Sequence, residues 1–182
     1  MRHGPAVEIS PSGRDSDRAL TPEGRERTRT VARAVLDSGE APLTIVSSPL
    51  VRALQTAEIV AATTDLEKRV REVKDAKGAG GAPGAVEIRR ELAPGGDVLA
   101  LVYDLARGGR KRAMVVGHEP DLSSLVAQLI GRGPEQGMLK SMVVGLKLEP
   151  VREGGTPPDR DLPFTCELRF VLDPKTLAWQ RP

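Results

Sequence analysis

Apolar residues recur along this chain in two rhythms. Between Leu20 and Gly39 they fall at helical spacing, with Val31, Ala32, Val35 and Leu36 on one stripe. Thr21 is placed to cap that helix, Pro22 suits its first position and Gly39 its end. The run "LTIVSS" (43–48) reads as a short buried strand. It passes directly into "PLVRALQTAEIVAA", a helix with Leu50, Ala53, Leu54, Ala57 and Val60 on one face. "GGDVLALVYDLARGG" (95–109) predicts another helix, with Asp97 as N-cap and Val98, Leu101, Val102 and Leu105 inward. "AMVVGHEP" (113–120) predicts a strand ending on Gly117 and His118. In "DLSSLVAQLIG" (121–131) Asp121 reads as a cap and Leu122, Leu125, Val126 and Leu129 as a core face.

The second rhythm is alternation. It marks strands at about 142–149 and 164–172, joined as a hairpin-like pair by the polar segment "EGGTPPDRD". In the second of these, Phe164, Cys166, Leu168, Phe170 and Leu172 share the apolar face, so the chain's one cysteine reads as core filler. The stretch 67–92 changes character, and its Gly/Pro/Ala-rich middle, Lys77 to Gly84, reads as a flexible loop. No internal repeat is visible. Strands alternating with helices predict a three-layer α/β/α fold around a mostly parallel sheet, within one domain spanning residues 1–182. Ligands of such sheets bind where strands end at their carboxyl edge and helices begin.

Charge and composition narrow the picture. With 27 Lys plus Arg against 25 Asp plus Glu, the formal charge of +2 does not suggest nucleic-acid binding. The few aromatics (Tyr103, Phe164, Phe170 and Trp179) are scattered and form no stacking platform. A single cysteine excludes an internal disulfide and a multi-cysteine metal site. No apolar run approaches the roughly 18 residues of a membrane span, and no signal peptide is evident. A cytoplasmic location, no membrane association and a monomer are the expectations.

The chain has two histidines, and both sit in telling places. His3 lies between Arg2 and Gly4, and His118 follows an apolar strand. Arg52 falls in the first turn of the helix after "SSP". Helix starts and arginine forks both suit anions. Junctions of one sheet can bring Arg2, His3, Arg52 and His118 together around a phosphoryl group. A neutral imidazole is a competent nucleophile toward phosphorus, two arginines would neutralise equatorial charge, and the second histidine could donate to the same oxygens. No metal and no cofactor are expected, because arginines repel a cation and the ligand set is too small for zinc. Taken singly, each residue reads as surface charge or a satisfied core histidine. Their conjunction carries the inference.

These motifs resemble the histidine phosphatase superfamily and, within it, SixA-type phosphohistidine phosphatases. "RHG" (2–4) is similar to the nucleophile motif. "DSDRALTPEG" (15–24), "SSPLVRALQTAEI" (47–59), "LAPGGD" (92–97) and "VVGHEPDLSSLV" (115–126) follow in the same order. The resemblance implies a phosphoglycerate-mutase-like fold and His3 as the phosphorylated nucleophile. Arg2, Arg52 and His118 would form the rest of the phosphate pocket, and a phosphohistidine on a phosphotransfer protein would be the substrate. For proton donation or substrate contact the candidates are Asp15, Asp17, Arg18 and Glu119, with Asp15 placed first. A leaving imidazole needs less help than an alkoxide, since it protonates near pH 6.5.

A short segment after the Arg52 helix leaves no room for a large cap, which favours a phosphorylated protein over a small metabolite. Lys68, Arg69, Arg71, Lys74, Lys77, Arg89 and Arg90 could steer an acidic partner; a solvated face is the reading preferred for them. Two alternatives stand beside the phosphohistidine reading: a phosphatase of small phosphomonoesters, and a phosphoprotein-binding module without turnover. In the resembling family an apolar strand precedes Arg-His-Gly, whereas here only Met1 does. A true start upstream of Met1 is therefore expected. Without that strand, the neighbouring strands should lose ladder partners and His3 its anchor.

Overall fold

The computed structural model describes residues 1–75, 86–150 and 164–182. The stretch Lys77 to Gly84 and the connection "EGGTPPDRD" lie outside them. Strands β1 (Thr44–Ser47), β2 (Glu87–Ile88) and β3 (Ala113–Val116) form a parallel sheet in the order β2-β1-β3. Strands β4 (Val143–Pro150), β5 (Phe164–Leu172) and β6 (Trp179–Gln180) form an antiparallel set in chain order. Helices α1 (Pro22–Asp37), α2 (Val51–Thr63), α3 (Leu66–Asp75), α4 (Val98–Arg107) and α5 (Asp121–Ile130) complete the fold.

Period-2 alternation in β1 builds the layers. Ile45 packs with Val31, Val35, Ala57 and Val60 of α1 and α2, and Leu66 of α3 joins that cluster. Its neighbour Val46 packs with Leu101 of α4 and Leu122, Leu125 and Leu129 of α5 on the other face. Each fully buried aliphatic side chain contributes about 1.5–3 kcal/mol relative to exposure, so both faces of the sheet must be covered.

Local signals account for most helix ends. Thr21 caps α1 by accepting from Gly24 N at 2.9 Å, and Asp97 caps α4 by accepting from Ala100 N at 2.9 Å. Asp121 departs from expectation. Pro120 holds the N-cap position of α5 without a side-chain bond, and Asp121 accepts instead from Gly95 N at 3.0 Å. The strand expected to end on Gly117–His118 ends at Val116, with Gly117 in an isolated bridge to Arg2 before the chain turns into α5. Helix α3 was not read from the sequence, its periodic face being thin among charges. Trp179–Gln180 is too short a strand to leave a pattern. Cys166 is half-buried against the α4–α5 cluster, and burial pushes its thiol up to about 11.

Met1–His3 lie between β3 and the start of β4. The Met1 amine donates to Val115 O at 2.8 Å, Gly117 N to Met1 O at 3.2 Å and His3 N to Gly117 O at 3.1 Å. On the other side Arg2 N donates to Met142 O at 3.1 Å, and Ser141 N to the carbonyls of Arg2 and His3 at 3.2 and 3.1 Å. Among the described residues, β3 and β4 belong to separate sheets. The expected loss of the His3 anchor is not observed, since backbone bonds hold it from both sides.

After His3 the chain passes against the start of α1, and two glycines permit the approach. A Cβ on Gly24 would sit 2.0 Å from Pro5 O, and one on Gly4 would sit 2.7 Å from Thr28 Oγ1. The first clash is with backbone, which cannot move cheaply. Gly24→Ala is expected to destabilise the protein by about 1–3 kcal/mol. Gly39→Ala meets no atom and costs only the strain of its φ of +78°, about 1–2 kcal/mol. Urea denaturation checks both.

Candidate active site

Three chain segments deliver the polar side chains. The loop after β3 carries His118, the first turn of α2 carries Arg52, and Met1–His3 carry Arg2 and His3. The two imidazole rings lie 5.1 Å apart, centroid to centroid. Arg2 and Arg52 are both close enough to depress the proton affinity of His3 and of His118. The four residues singled out in the sequence therefore share one site.

His3 Nδ1 is 2.7 Å from Gly4 O. A carbonyl only accepts, so Nδ1 carries the ring proton and Nε2 keeps its lone pair. Burial, followed by the nearby His118, Arg52 and Arg2, lowers its pKa to about 3, although the Gly4 bond opposes the shift. His118 is lowered to about 4, first by burial and then by Arg52. Both rings are neutral at pH 7. His118 Nε2 contacts Ser48 Oγ at 2.8 Å, and that oxygen also accepts from Leu50 N at 3.3 Å. Ser48 is satisfied when its own hydrogen goes to Nε2, which leaves the His118 proton on Nδ1.

Arg52 is buried at 6% exposure, and its guanidinium donates to Asp15 O at 2.8 Å and Asp15 Oδ2 at 2.9 Å. Arg18 donates to Asp15 Oδ1 at 2.8 Å and to Val7 O at 2.6 Å. Held by Arg18 and then Arg52, the Asp15 carboxyl lies below the usual carboxylate range, so it is ionised at neutral pH. The geometry thus opposes its reading as a proton donor and makes it a clamp on two arginines. Asp17 accepts from Ser12 and Ser16 at the surface. Glu119 accepts from Ser123 Oγ at 2.5 Å through Oε2. Arg2 donates to Met138 O at 2.6 Å.

Four buried side-chain polar atoms lack a hydrogen-bond partner among the described residues, and three of them are here: Arg2 Nε, His118 Nδ1 and Glu119 Oε1. Unpaired buried polar atoms cost about 1–3 kcal/mol each, and a polar ligand removes that cost. Cavities of about 350 Å³ between α2 and α3 and about 160 Å³ between α4 and α5 include none of Arg2, His3, Arg52 or His118. The described residues contain no cluster of His, Cys, Asp or Glu able to hold a metal ion. No helix among them is long and apolar enough to cross a membrane.

Sequence reasoning missed the supports. Gly4 N donates to Thr56 Oγ1 at 3.0 Å, and Leu20 N donates to the Gln55 side chain at 2.8 Å. Ser48, Gln55 and Thr56 were visible only as letters of a motif. Ser141 carried no signal in the sequence. Of the basic residues weighed as a steering patch, Arg71 pairs with Glu67, Arg89 with Glu91 and Asp104, and Arg69 donates to the carbonyls of Ala41 and Pro42.

Residues 1–75 match the family described as Histidine phosphatase superfamily (branch 1). An uncharacterized protein from Picosynechococcus sp. is 32% identical over 152 residues, 81% of this chain and 82% of that one. A solved structure of the protein histidine phosphatase SixA complexed with tungstate superposes with a TM-score of 0.72 at 25% identity, covering 98% of this chain and 97% of that one. Mycobacterial glucosyl-3-phosphoglycerate phosphatase shares the fold, with a TM-score of 0.58 at 19% identity over 92% and 93% of the two chains.

Burying neutral histidines links stability to pH. Both folded pKa values, about 3 and about 4, lie below the unfolded value of about 6.5, so the unfolded chain binds more protons between them. Stability should be full above pH 6.5 and fall as pH drops toward 4. Thermal melts of wild type and His3→Gln from pH 7 to 4 check this, and the variant should show the shallower decline.

Proposed function

The chain belongs to the histidine phosphatase superfamily, and from that premise we propose that it is a SixA-type phosphatase that removes phosphate from phosphohistidine on a protein, through a covalent intermediate on His3. The observation that carries the reading is the site itself. A neutral imidazole with a free Nε2 lies 5.1 Å, ring to ring, from His118, whose Nδ1 is buried and, like Arg2 Nε, without a partner among the described residues.

In the first step Nε2 of His3 attacks phosphorus as the substrate's P–N bond breaks. The leaving imidazole takes its proton from water. Arg2, Arg52 and His118 Nδ1–H hold the phosphoryl oxygens as charge shifts across them. In the second step water attacks phosphorus, the P–Nε2 bond breaks and inorganic phosphate leaves, with one proton released to solvent. His3 returns to its starting tautomer, which Gly4 O stabilises.

The substrate assignment follows from the acids. Asp15 is held ionised between Arg18 and Arg52 and has no proton to give. Without a proton from Asp15, the site suits a leaving imidazole better than an alkoxide, whose conjugate acid is far weaker. Likeness to SixA supports the same choice.

The test compares a phosphohistidine-bearing phosphotransfer protein with small phosphomonoesters, following phosphate release. Wild type should act on the phosphoprotein and carry an acid-labile phosphate on His3. His3→Ala should lose on the order of 10³-fold or more in kcat/KM. Activity retained in His3→Ala overturns the covalent step. Release from small esters alone overturns the protein substrate. Binding of phosphoprotein without any release identifies a binding module instead.

A further inference from the structure

Arg2 also belongs to a hydrogen-bonded chain whose other members the reaction above leaves unused. Its guanidinium donates to Met138 O at 2.6 Å. The amide of that same residue donates to Ser123 Oγ at 3.2 Å, and the Ser123 hydroxyl donates to Glu119 Oε2 at 2.5 Å. The Glu119 charge acts back on Arg2, partly offsetting the loss of proton affinity that burial imposes on the guanidinium. Four chain segments thus meet: the N-terminus, the loop after β3, α5 and the turn at Gly137–Met138.

The fit at Glu119 is close. Gly137 has a φ of +68°, and a Cβ there would lie 2.9 Å from Glu119 Oε2. Arg2 Nε and Glu119 Oε1, a donor and an acceptor, are both buried and without hydrogen-bond partners among the described residues. Glu119 forms no ion pair within 4 Å among those residues, so Arg2 Nε stays without a partner while the carboxylate acts on the guanidinium through its charge.

We propose that Glu119, tethered by Ser123, is a positioning residue that keeps the Arg2 guanidinium aimed into the His3–His118 site. The inference rests on the reading that this site takes a phosphoryl group. Its sign is distinctive. By charge alone, a carboxylate beside an anion site weakens anion binding, so its removal should tighten it. A carboxylate that acts by orienting Arg2 has the opposite effect.

Inorganic phosphate binding by calorimetry reads this without any turnover. Glu119→Gln, nearly isosteric, should weaken phosphate about 10-fold with an unchanged melting temperature, a typical cost for an outer partner of a binding residue. Ser123→Ala, which keeps the charge and cuts the tether, should weaken it by a smaller factor. A double-mutant cycle then separates positioning from general structure. The Glu119→Gln effect should vanish in an Arg2→Ala background and persist in an Arg52→Ala background. Phosphate bound equally or more tightly by Glu119→Gln overturns the proposal. So does an undiminished Glu119→Gln effect in the Arg2→Ala background. Failure of wild type to bind phosphate would instead remove the phosphoryl-site reading, and this inference with it.

Discussion

Everything at this site depends on how three residues of backbone are held. Met1–His3 have no regular strand pairing beyond a single bridge from Arg2 to Gly117. Their position comes from amides and carbonyls on either side, above all the Ser141 N–H shared between the carbonyls of Arg2 and His3. Ser141 is fully buried and has a φ of +70°, a conformation costing a non-glycine residue about 1–2 kcal/mol. The shared bond offsets part of that strain. A strained residue whose amide grips the neighbours of a chemical site is the kind of cost that folds retain where geometry matters. One hydroxyl then carries the constraint to the next element. Thr56 accepts from Gly4 N and donates to Arg52 O one turn back, so one side chain ties the residue after His3 to the turn that carries Arg52.

The helices and principal strands were legible because local chemistry and tertiary need agreed. Thr21 and Asp97 cap the helices they precede, and the stripes of α1, α4 and α5 are the faces that become buried. Where the two needs diverged, the reading failed. Asp121 has the side chain of a cap but stands inside its helix, and the tie to Gly95 decides its role. Helix α3 is mostly charge, so its period is carried by few apolar positions. β6 pairs with Val171 and Leu172 across a short turn, and its two residues are too few to set up an alternation.

The site divides in the same way. Arg2, His3, Arg52 and His118 stood out because histidine is scarce here and strand-to-helix junctions are informative. Ser48, Gln55, Thr56 and Ser141 did not, since small polar residues look alike whether they hold a site or face water. Their partners lie far away in sequence, 52 residues from Gly4 to Thr56 and 70 from Ser48 to His118. Asp15 shows the limit from the other side. Its motif position made it the first candidate acid, whereas hydrogen bonds from Arg18 and then Arg52 favour its ionised form.

The distribution of charge explains why this arrangement suits its proposed task. Each arginine has one carboxylate nearby: Asp15 bonded to Arg52, Glu119 in the field of Arg2. Neither carboxylate hydrogen-bonds a histidine among the described residues; the rings are held by a carbonyl and a hydroxyl. That separation matters. A carboxylate on His3 would raise its pKa and protonate the nucleophile, while arginines without counter-charges would be costly to bury. Splitting the two needs keeps the imidazoles neutral and the guanidinium groups charged in the same small volume. An incoming phosphoryl dianion then meets cations already in place and a ring nitrogen that does not have to lose a proton before it attacks.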